Sequence, residues 1–267
     1  MAKPAQSALP LFPHTLRSLW DFGWKQAKSC VFPVAVFGTL AVTDWFPPPF
    51  MHRYDLILLV LLAAQWLMVR SKRETLDELK VICLFHLIGL GLELYKVHMG
   101  SWSYPEEALS KIGGVPLYSG FMYASVASYL CQAWRRLDVE LTAWPRAFLT
   151  VPLAAAIYLN FFTHHYIYDF RWWLLLCVIA VFFRVRVRFT AGGARHEMPL
   201  VLSFLLIGFF IWIGENIATY FGAWQYPNQR DAWRIVGFGK ISSWFLLVIV
   251  SFIIVAQLKH VKASLNK

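Results

Sequence analysis

The sequence predicts an all-α fold: a polytopic membrane helix bundle of eight transmembrane helices arranged as two parallel four-helix repeats. Three observations predict it. The 267-residue chain is 58% hydrophobic and 17% aromatic but only 15% charged, far below the quarter charged that is usual in a soluble domain. Eight apolar runs, roughly 29–46, 54–69, 79–97, 115–134, 144–163, 168–184, 198–219 and 237–258, approach the ~17–25 residues a bilayer crossing needs. Finally, Glu93, Gly100, Trp102, Tyr104 and Pro105 recur as Glu215, Gly222, Trp224, Tyr226 and Pro227, each pair 122 positions apart. Five coincidences at one offset, in types as uncommon as Trp and Tyr, mark an internal duplication.

The elements follow in order. Residues 1–28 form an N-terminal cytoplasmic amphipathic segment, because between His14 and Ser29 the residues Leu16, Leu19, Trp20, Gly23, Trp24 and Ala27 share one helical face. Such a helix either lies on the inner membrane surface or packs on its own protein. No cleavable signal peptide is visible, since the first apolar run begins only near Cys30 and lacks a small-residue cleavage pattern. The first repeat covers 29–140 and the second 141–267. The first, second and sixth runs are short or polar-flanked, so seven spans is the alternative count. An even number of spans per copy returns the chain to its starting side, which makes the copies parallel repeats about an axis along the membrane normal.

Charge sets the orientation. With the N-terminus inside, alternate segments carry Lys3, Arg17, Lys25 and Lys28; Arg70, Lys72, Arg73 and Lys80; Arg135, Arg136 and Arg146; Arg184, Arg186, Arg188 and Arg195; and Lys259, Lys262 and Lys267. That places 18 of the 25 basic residues inside. The +10 net charge therefore reads as topology, and no nucleic-acid partner is expected, because the basic residues cluster at run ends rather than on one interleaved face. Cys30, Cys83, Cys131 and Cys177 lack C-x-x-C spacing and read as buried packing residues.

Both glutamates sit in apolar runs, where a carboxylate is expensive and is a functional-site hypothesis by default. Seven residues at ~1.5 Å each place either one roughly 10 Å inward from its loop glycine. If the third and seventh spans approach the repeat axis, the two carboxylates share one cavity. The catalytic candidates are Glu93, Glu215 and His86, which shares a helical face with Glu93; a hydrogen-bonded packing histidine is the alternative. The substrate-binding candidates are Trp102, Tyr104, Glu106, Tyr123, Asn216, Trp224, Tyr226 and Lys240. Glu106 and Glu107 stand opposite Asn228 and Gln229, so carboxylates in one loop meet near-isosteric amides in the other; solvated loop charges are the other reading. The G-x-W-x-Y-P loops also make sense as an interfacial lid, with Gly ending a helix and two aromatics on one side.

Lys96, three residues after Glu93, can pair with it on the helix surface, and Lys240 can reach Glu215 or an anionic headgroup. The Thr163-His164-His165-Tyr166 turn before Asp169 has a metal-like composition, but adjacent histidines point in different directions, so no metal is expected. No G-x-S-x-G, Walker, H-E-x-x-H, kinase or Rossmann pattern occurs, and no cofactor is expected.

The chain resembles the YoaT-like family of uncharacterised bacterial integral membrane proteins, domain of unknown function 817. The resemblance rests on Gly100-Ser101-Trp102-Ser103-Tyr104-Pro105-Glu106, on the stretch from Gly114-Val115-Pro116 to Tyr123-Ala124-Ser125, and on Ser242-Ser243-Trp244. It implies a multi-pass protein of the bacterial inner membrane and no assigned activity. More distantly, the intramembrane Glu ahead of a G-x-W-x-Y loop is similar to carotenoid hydratases and heterodimeric-type lycopene cyclases, which implies metal-free acid chemistry on isoprenoid double bonds. The cyclases' P-x-E-E signature inside a span is missing, since Pro105-Glu106-Glu107 is contiguous and in a loop.

The leading expectation is a lipid- or isoprenoid-handling enzyme. A protonated Glu93 or Glu215 donates to an alkene or leaving group, aromatic faces stabilise cationic charge, and the second carboxylate orients water or takes the proton back. The rival classes are a proton- or cation-coupled transporter and a non-catalytic membrane protein. Reporter fusions test the charge argument directly: residues 98–114 and 220–236 are expected on the outer side with both termini inside, and loops found on opposite faces would overturn the parallel repeat.

Overall fold

In the computed structural model, residues 11–265 are described. About 66% of the described residues are helical. Nine α-helices among the described residues run α1 (Leu11–Ser29), α2 (Val31–Trp45), α3 (Arg53–Arg70), α4 (Leu76–His98), α5 (Ser119–Arg136), α6 (Ala147–Thr163), α7 (Arg171–Phe182), α8 (Leu200–Tyr220) and α9 (Lys240–Leu265). Each of the eight apolar runs thus becomes a helix. Length and composition make α4 and α8 able to cross a membrane, with mean hydropathies of 1.4 and 2.0, and α1 with α2 would add a third span bent by 62°. Helices α6, α7 and the first part of α9 are apolar but shorter.

The fold is not purely helical. Two hairpins interrupt it: β1 (Lys111–Ile112) with β2 (Val115–Pro116), and β4 (Arg186–Ala191) with β5 (Ala194–Pro199), the latter joined by β3 (Glu140–Thr142) in the order β3-β4-β5. Both hairpins turn on a Gly-Gly pair with both residues at positive φ, Gly113-Gly114 and Gly192-Gly193, as a two-residue turn that matches strand twist requires. The predicted fourth span therefore begins late, since 115–116 belong to a strand.

Helix α5 packs against α4, α2, α1 and α9, while α9 packs against α8, α6, α7 and α5. These two helices form the middle of the bundle. The hydrophobic core lines them from Ala124 to Cys131 and from Phe245 to Ala256. Close approach depends on glycine: a Cβ on Gly120 would lie 2.7 Å from the His86 ring and 2.8 Å from its carbonyl oxygen, and one on Gly89 would lie 2.4 Å from the Tyr123 ring. Helix α4 starts on a capping box, with Thr75 Oγ1 accepting from Glu78 N–H (3.2 Å) and Glu78 Oε2 accepting from Thr75 N–H (2.9 Å).

The bundle has two chemically distinct ends. At one, Arg53 reaches Glu106 and the Phe221 carbonyl, Tyr118 O–H donates to the Ala223 carbonyl, and Tyr95 O–H donates to the Phe162 carbonyl (2.5 Å). The other gathers the basic segments: Arg135 Nη2 donates to the Arg73 carbonyl (2.6 Å), Lys25 Nζ to the Thr190 carbonyl (3.0 Å), and Asp21 accepts from Gly192 N–H (2.8 Å). Near it a buried Glu74 accepts from Gln65 (2.5 Å), Ser128 and Gln132 (3.4 Å), tying α3 to α5. Helix α1 packs on its own protein by the side opposite its apolar face. It docks on β4, with Phe22 against Phe189 at 5.2 Å, and the face carrying Leu16, Leu19, Trp20, Gly23, Trp24 and Ala27 is exposed.

Gly120→Ala is expected to force α4 from α5 and cost about 1–3 kcal/mol by overpacking. Gly91→Ala, with no atom within 4 Å of the new methyl, is expected to be neutral or mildly stabilising through helix propensity. Melting temperatures of the two variants in detergent check the contrast.

Candidate functional site

The site is built by two helix ends of matching form. Helices α4 and α8 both close on a positive-φ glycine, Gly100 (φ 69°) and Gly222 (φ 66°). In each the two N–H groups that follow fold back: Gly100 to Val97 (3.0 Å) and Ser101 to Lys96 (2.9 Å), Gly222 to Thr219 (3.2 Å) and Ala223 to Ala218 (2.9 Å). This is the Schellman closure, which needs a left-handed residue after the cap. The chains then leave the caps toward each other. Ser103 and Gln225, 122 positions apart, pair antiparallel with N–H···O distances of 2.9 and 2.8 Å.

That pairing brings the aromatics over the carboxylates. Glu93 is 5% exposed and Glu215 3%, so both need donors for their oxygens. Glu93 Oε2 accepts from Trp102 Nε1 (2.6 Å) and Tyr104 O–H (2.7 Å), and Oε1 accepts from Tyr123 O–H (2.8 Å). Glu215 Oε1 accepts from Tyr226 O–H and Oε2 from Trp244 Nε1 (2.7 Å). Each carboxylate is thus held by its own loop and by the next helix, α5 or α9. The loops touch as well, with the Trp102 and Tyr226 rings edge-to-face at 5.9 Å. Lys240 Nζ lies 4.6 Å from the Tyr226 ring centroid and 5.3 Å from that of Trp102, a cation–π seat.

A cavity of about 790 Å³ opens beside this network, within the size range of small-molecule sites. Glu93, Glu215, Trp102, Tyr123, Trp224, Tyr226 and Lys240 all line it. The remaining surface is chiefly aliphatic and aromatic, reaching Tyr129 and Trp134 on α5 and Phe22 on α1.

Four other candidates are placed differently. His86 does not line the cavity; it packs on Phe121 at 4.5 Å with Nδ1 buried and unpartnered. The seven residues separating it from Glu93 keep the helical face but move it roughly 10 Å along the axis. Glu106 turns away to a buried Arg53, at 2.5 Å from Nη1, so the Glu/Asn contrast after the loop prolines does not bear on the cavity. Asn216 accepts from Val236 N–H (2.8 Å) and donates to the Trp212 carbonyl (2.8 Å), fixing the strap before α9. Tyr104 lies behind Glu93, held edge-on between Tyr54 and Tyr118.

Two pairing expectations are also corrected. Lys96 does not pair with Glu93. Its Nζ meets His165 Nε2 at 3.0 Å and His164 Nε2 at 3.4 Å, and the two rings lie 4.2 Å apart. These adjacent histidines converge because they follow the end of α6, where the 100° step between helical neighbours no longer applies. His164 Nδ1 faces the Asn160 carbonyl at 3.0 Å, so Nδ1 carries the proton and Nε2 accepts from the lysine. Burial and then the Lys96 ammonium lower both imidazoles below the ordinary histidine value. In Asp169 partial burial opposes ionisation, but the Asn160 amide and the Arg171 N–H and guanidinium outweigh it and hold the carboxyl low. No group of three metal-binding side chains occurs among the described residues.

The sequence reading left out Trp244 as a donor, Lys96 and Arg171 as cavity-lining cations, and His164 as a lining imidazole. Trp244 carried a signal: it stands among the few aromatics one turn into α9, as Tyr123 does in α5.

Comparison with known proteins fits this picture. The profile described as "Protein of unknown function (DUF817)" matches residues 18–252. The chain belongs to that family. It is similar to the "Uncharacterized protein YoaT" of Bacillus subtilis (strain 168), 67% identical over 247 residues, covering 92% of this chain and 94% of that protein. No solved structure matches. These matches carry no likeness to carotenoid hydratases or lycopene cyclases. Both paired loops and both glutamates lie inside the part of the chain that defines the DUF817 family.

Removing the acceptor is expected to cost more than removing a donor. Glu93→Ala strands Trp102, Tyr104 and Tyr123 without a partner, at about 1–3 kcal/mol for each buried group left unpaired, whereas Tyr123→Phe loses one bond worth about 1 kcal/mol. Thermal unfolding in detergent should show a clearly larger drop for Glu93→Ala; equal drops would mean the network does not hold the loop.

Proposed function

We propose that this protein is a multi-pass membrane protein of two parallel four-helix copies, and that it handles a lipid- or isoprenoid-like molecule with Glu93 and Glu215 as its acid/base groups. The carrying observation is the roughly 790 Å³ cavity, aliphatic and aromatic along most of its wall, that both carboxylates line. Such a space suits an apolar ligand, and its few polar groups converge on one place.

The copy relation is supported by the Ser103–Gln225 pairing, which joins equivalent positions as a twofold axis would, and by contacts of the same kind in each half: α4 on α5 and α8 on α9, α2 on α5 and α6 on α9. Membrane placement is supported by the surface. Trp45, Phe50, Trp172, Trp173, Tyr220 and Trp233 are exposed at the end bearing the loops, and Trp20 and Trp24 at the basic end. Soluble proteins rarely expose so much apolar area, whereas two aromatic rims with most of the basic residues at one of them match a protein whose basic end is cytoplasmic.

Tyr123 and Tyr226 line the cavity and each donates to a carboxylate. A proton held by either glutamate therefore reaches a ligand directly or by way of its tyrosine.

Lipid extraction and mass spectrometry of the protein purified in mild detergent test the reading. A stoichiometric apolar molecule is expected, and it should be lost in Ile207→Trp, which fills the cavity from α8. Absence of any such molecule from the unaltered protein, or its retention in the filled variant, would overturn it.

A further inference from the structure

Three cationic side chains line the loop end of the cavity, from three different helices: Lys96 on α4, Arg171 on α7 and Lys240 on α9. Arg171 is matched by Asp169 at 3.0 Å. The two lysines are not matched. Lys96 is 4% exposed and its ammonium meets the two histidine Nε2 atoms and, at 6.0 Å from the centroid, the Tyr95 ring, and Lys240 rests on aromatic faces. Among the described residues no carboxylate oxygen lies within 4.0 Å of either amine. The glutamates do not fill this need, since their oxygens are taken by Trp and Tyr donors. An ammonium has three N–H donors and no acceptor, and leaving them unsatisfied away from water is costly.

The cavity runs from these amines into the bundle. Its lining on α5 extends from Met122 to Trp134, roughly 18 Å at 1.5 Å per residue. Cations at one end of an apolar tube of that length specify a ligand with the opposite pattern.

We propose that the cavity binds a single-chain amphiphile whose head is an oxyanion, phosphate or carboxylate, seated between Lys96 and Lys240 with Arg171 beside it and its chain running toward Trp134. This rests on the apolar-ligand reading above and adds the headgroup. The head oxygens accept from both ammonium groups, a charge-assisted arrangement stronger than a neutral hydrogen bond. The same placement puts the first carbons of the chain beside Tyr123, Tyr226 and the carboxylates behind them.

The experiment uses the intact protein in a non-ionic detergent and reads quenching of tryptophan fluorescence, Trp102 and Trp244 both lining the cavity. Dodecyl phosphate, dodecanoate, dodecanol and inorganic phosphate are titrated separately. Both anionic amphiphiles are expected to bind at least about tenfold more tightly than dodecanol, and inorganic phosphate to bind weakly, because it lacks the chain. Lys240→Met is expected to remove that preference and Lys240→Arg to keep it, melting curves confirming that both variants fold. Dodecanol binding as tightly as dodecyl phosphate would overturn the headgroup site while leaving the apolar cavity intact. Failure of all three chain compounds to bind would overturn both readings, and inorganic phosphate matching dodecyl phosphate would reassign the site to a free anion.

Discussion

A carboxylate in an apolar interior must be supplied with donors, and in this protein that requirement arises twice. Glu93 and Glu215 draw five N–H or O–H donors between them, none from a charged group. Supplying those donors fixes where the two loops lie, which rotamers their aromatics take and how α5 and α9 face α4 and α8. The glycines at 100 and 222 matter for the same reason: only a left-handed residue there turns the chain back over its own helix so that Trp102, Tyr104 and Tyr226 point inward. The loops are thus shaped by the needs of the helices below them.

The charge distribution around the cavity follows a second logic. Opposite charges are kept near each other without being paired. Lys240 shares the cavity wall with both glutamates yet sits on Trp102 and Tyr226, and Lys96 is turned toward two imidazoles. Direct ion pairs at this depth would neutralise both partners and gain little over well-packed apolar contacts. Keeping them apart leaves acceptors and donors on the cavity wall.

Much of this was legible in the chain. Every apolar run became a helix, because runs of that length are longer than a strand usually is and suit a helix instead. The repeated Glu and its loop were legible because Trp, Tyr and Gly at fixed spacing leave a signal that sequence drift does not imitate. The hairpin at 186–199 was not read, although Val185 and Val187 are buried and alternate with exposed arginines up to a Gly-Gly turn; four arginines in so short a stretch read first as a topology signal. His86 was overvalued because a shared helical face says nothing about distance along the axis. Pairings of long side chains, Lys96 above all, could not be read from spacing, since the partners come from the end of another helix nearly seventy residues away.

The contacts between the halves also set an order of assembly. Arg53 donates to the carbonyl of Phe221, 168 residues later, Tyr118 to that of Ala223, and Ser103 waits for Gln225. While the chain is being made, the first helices can form and pair locally, but these buried donors have no acceptor until α8 and its loop exist. Contacts so distant in sequence are the slow ones to establish. The cavity, walled by residues of α1 and α5 from one part of the chain and of α8 and α9 from the other, therefore exists only when both parts are in place.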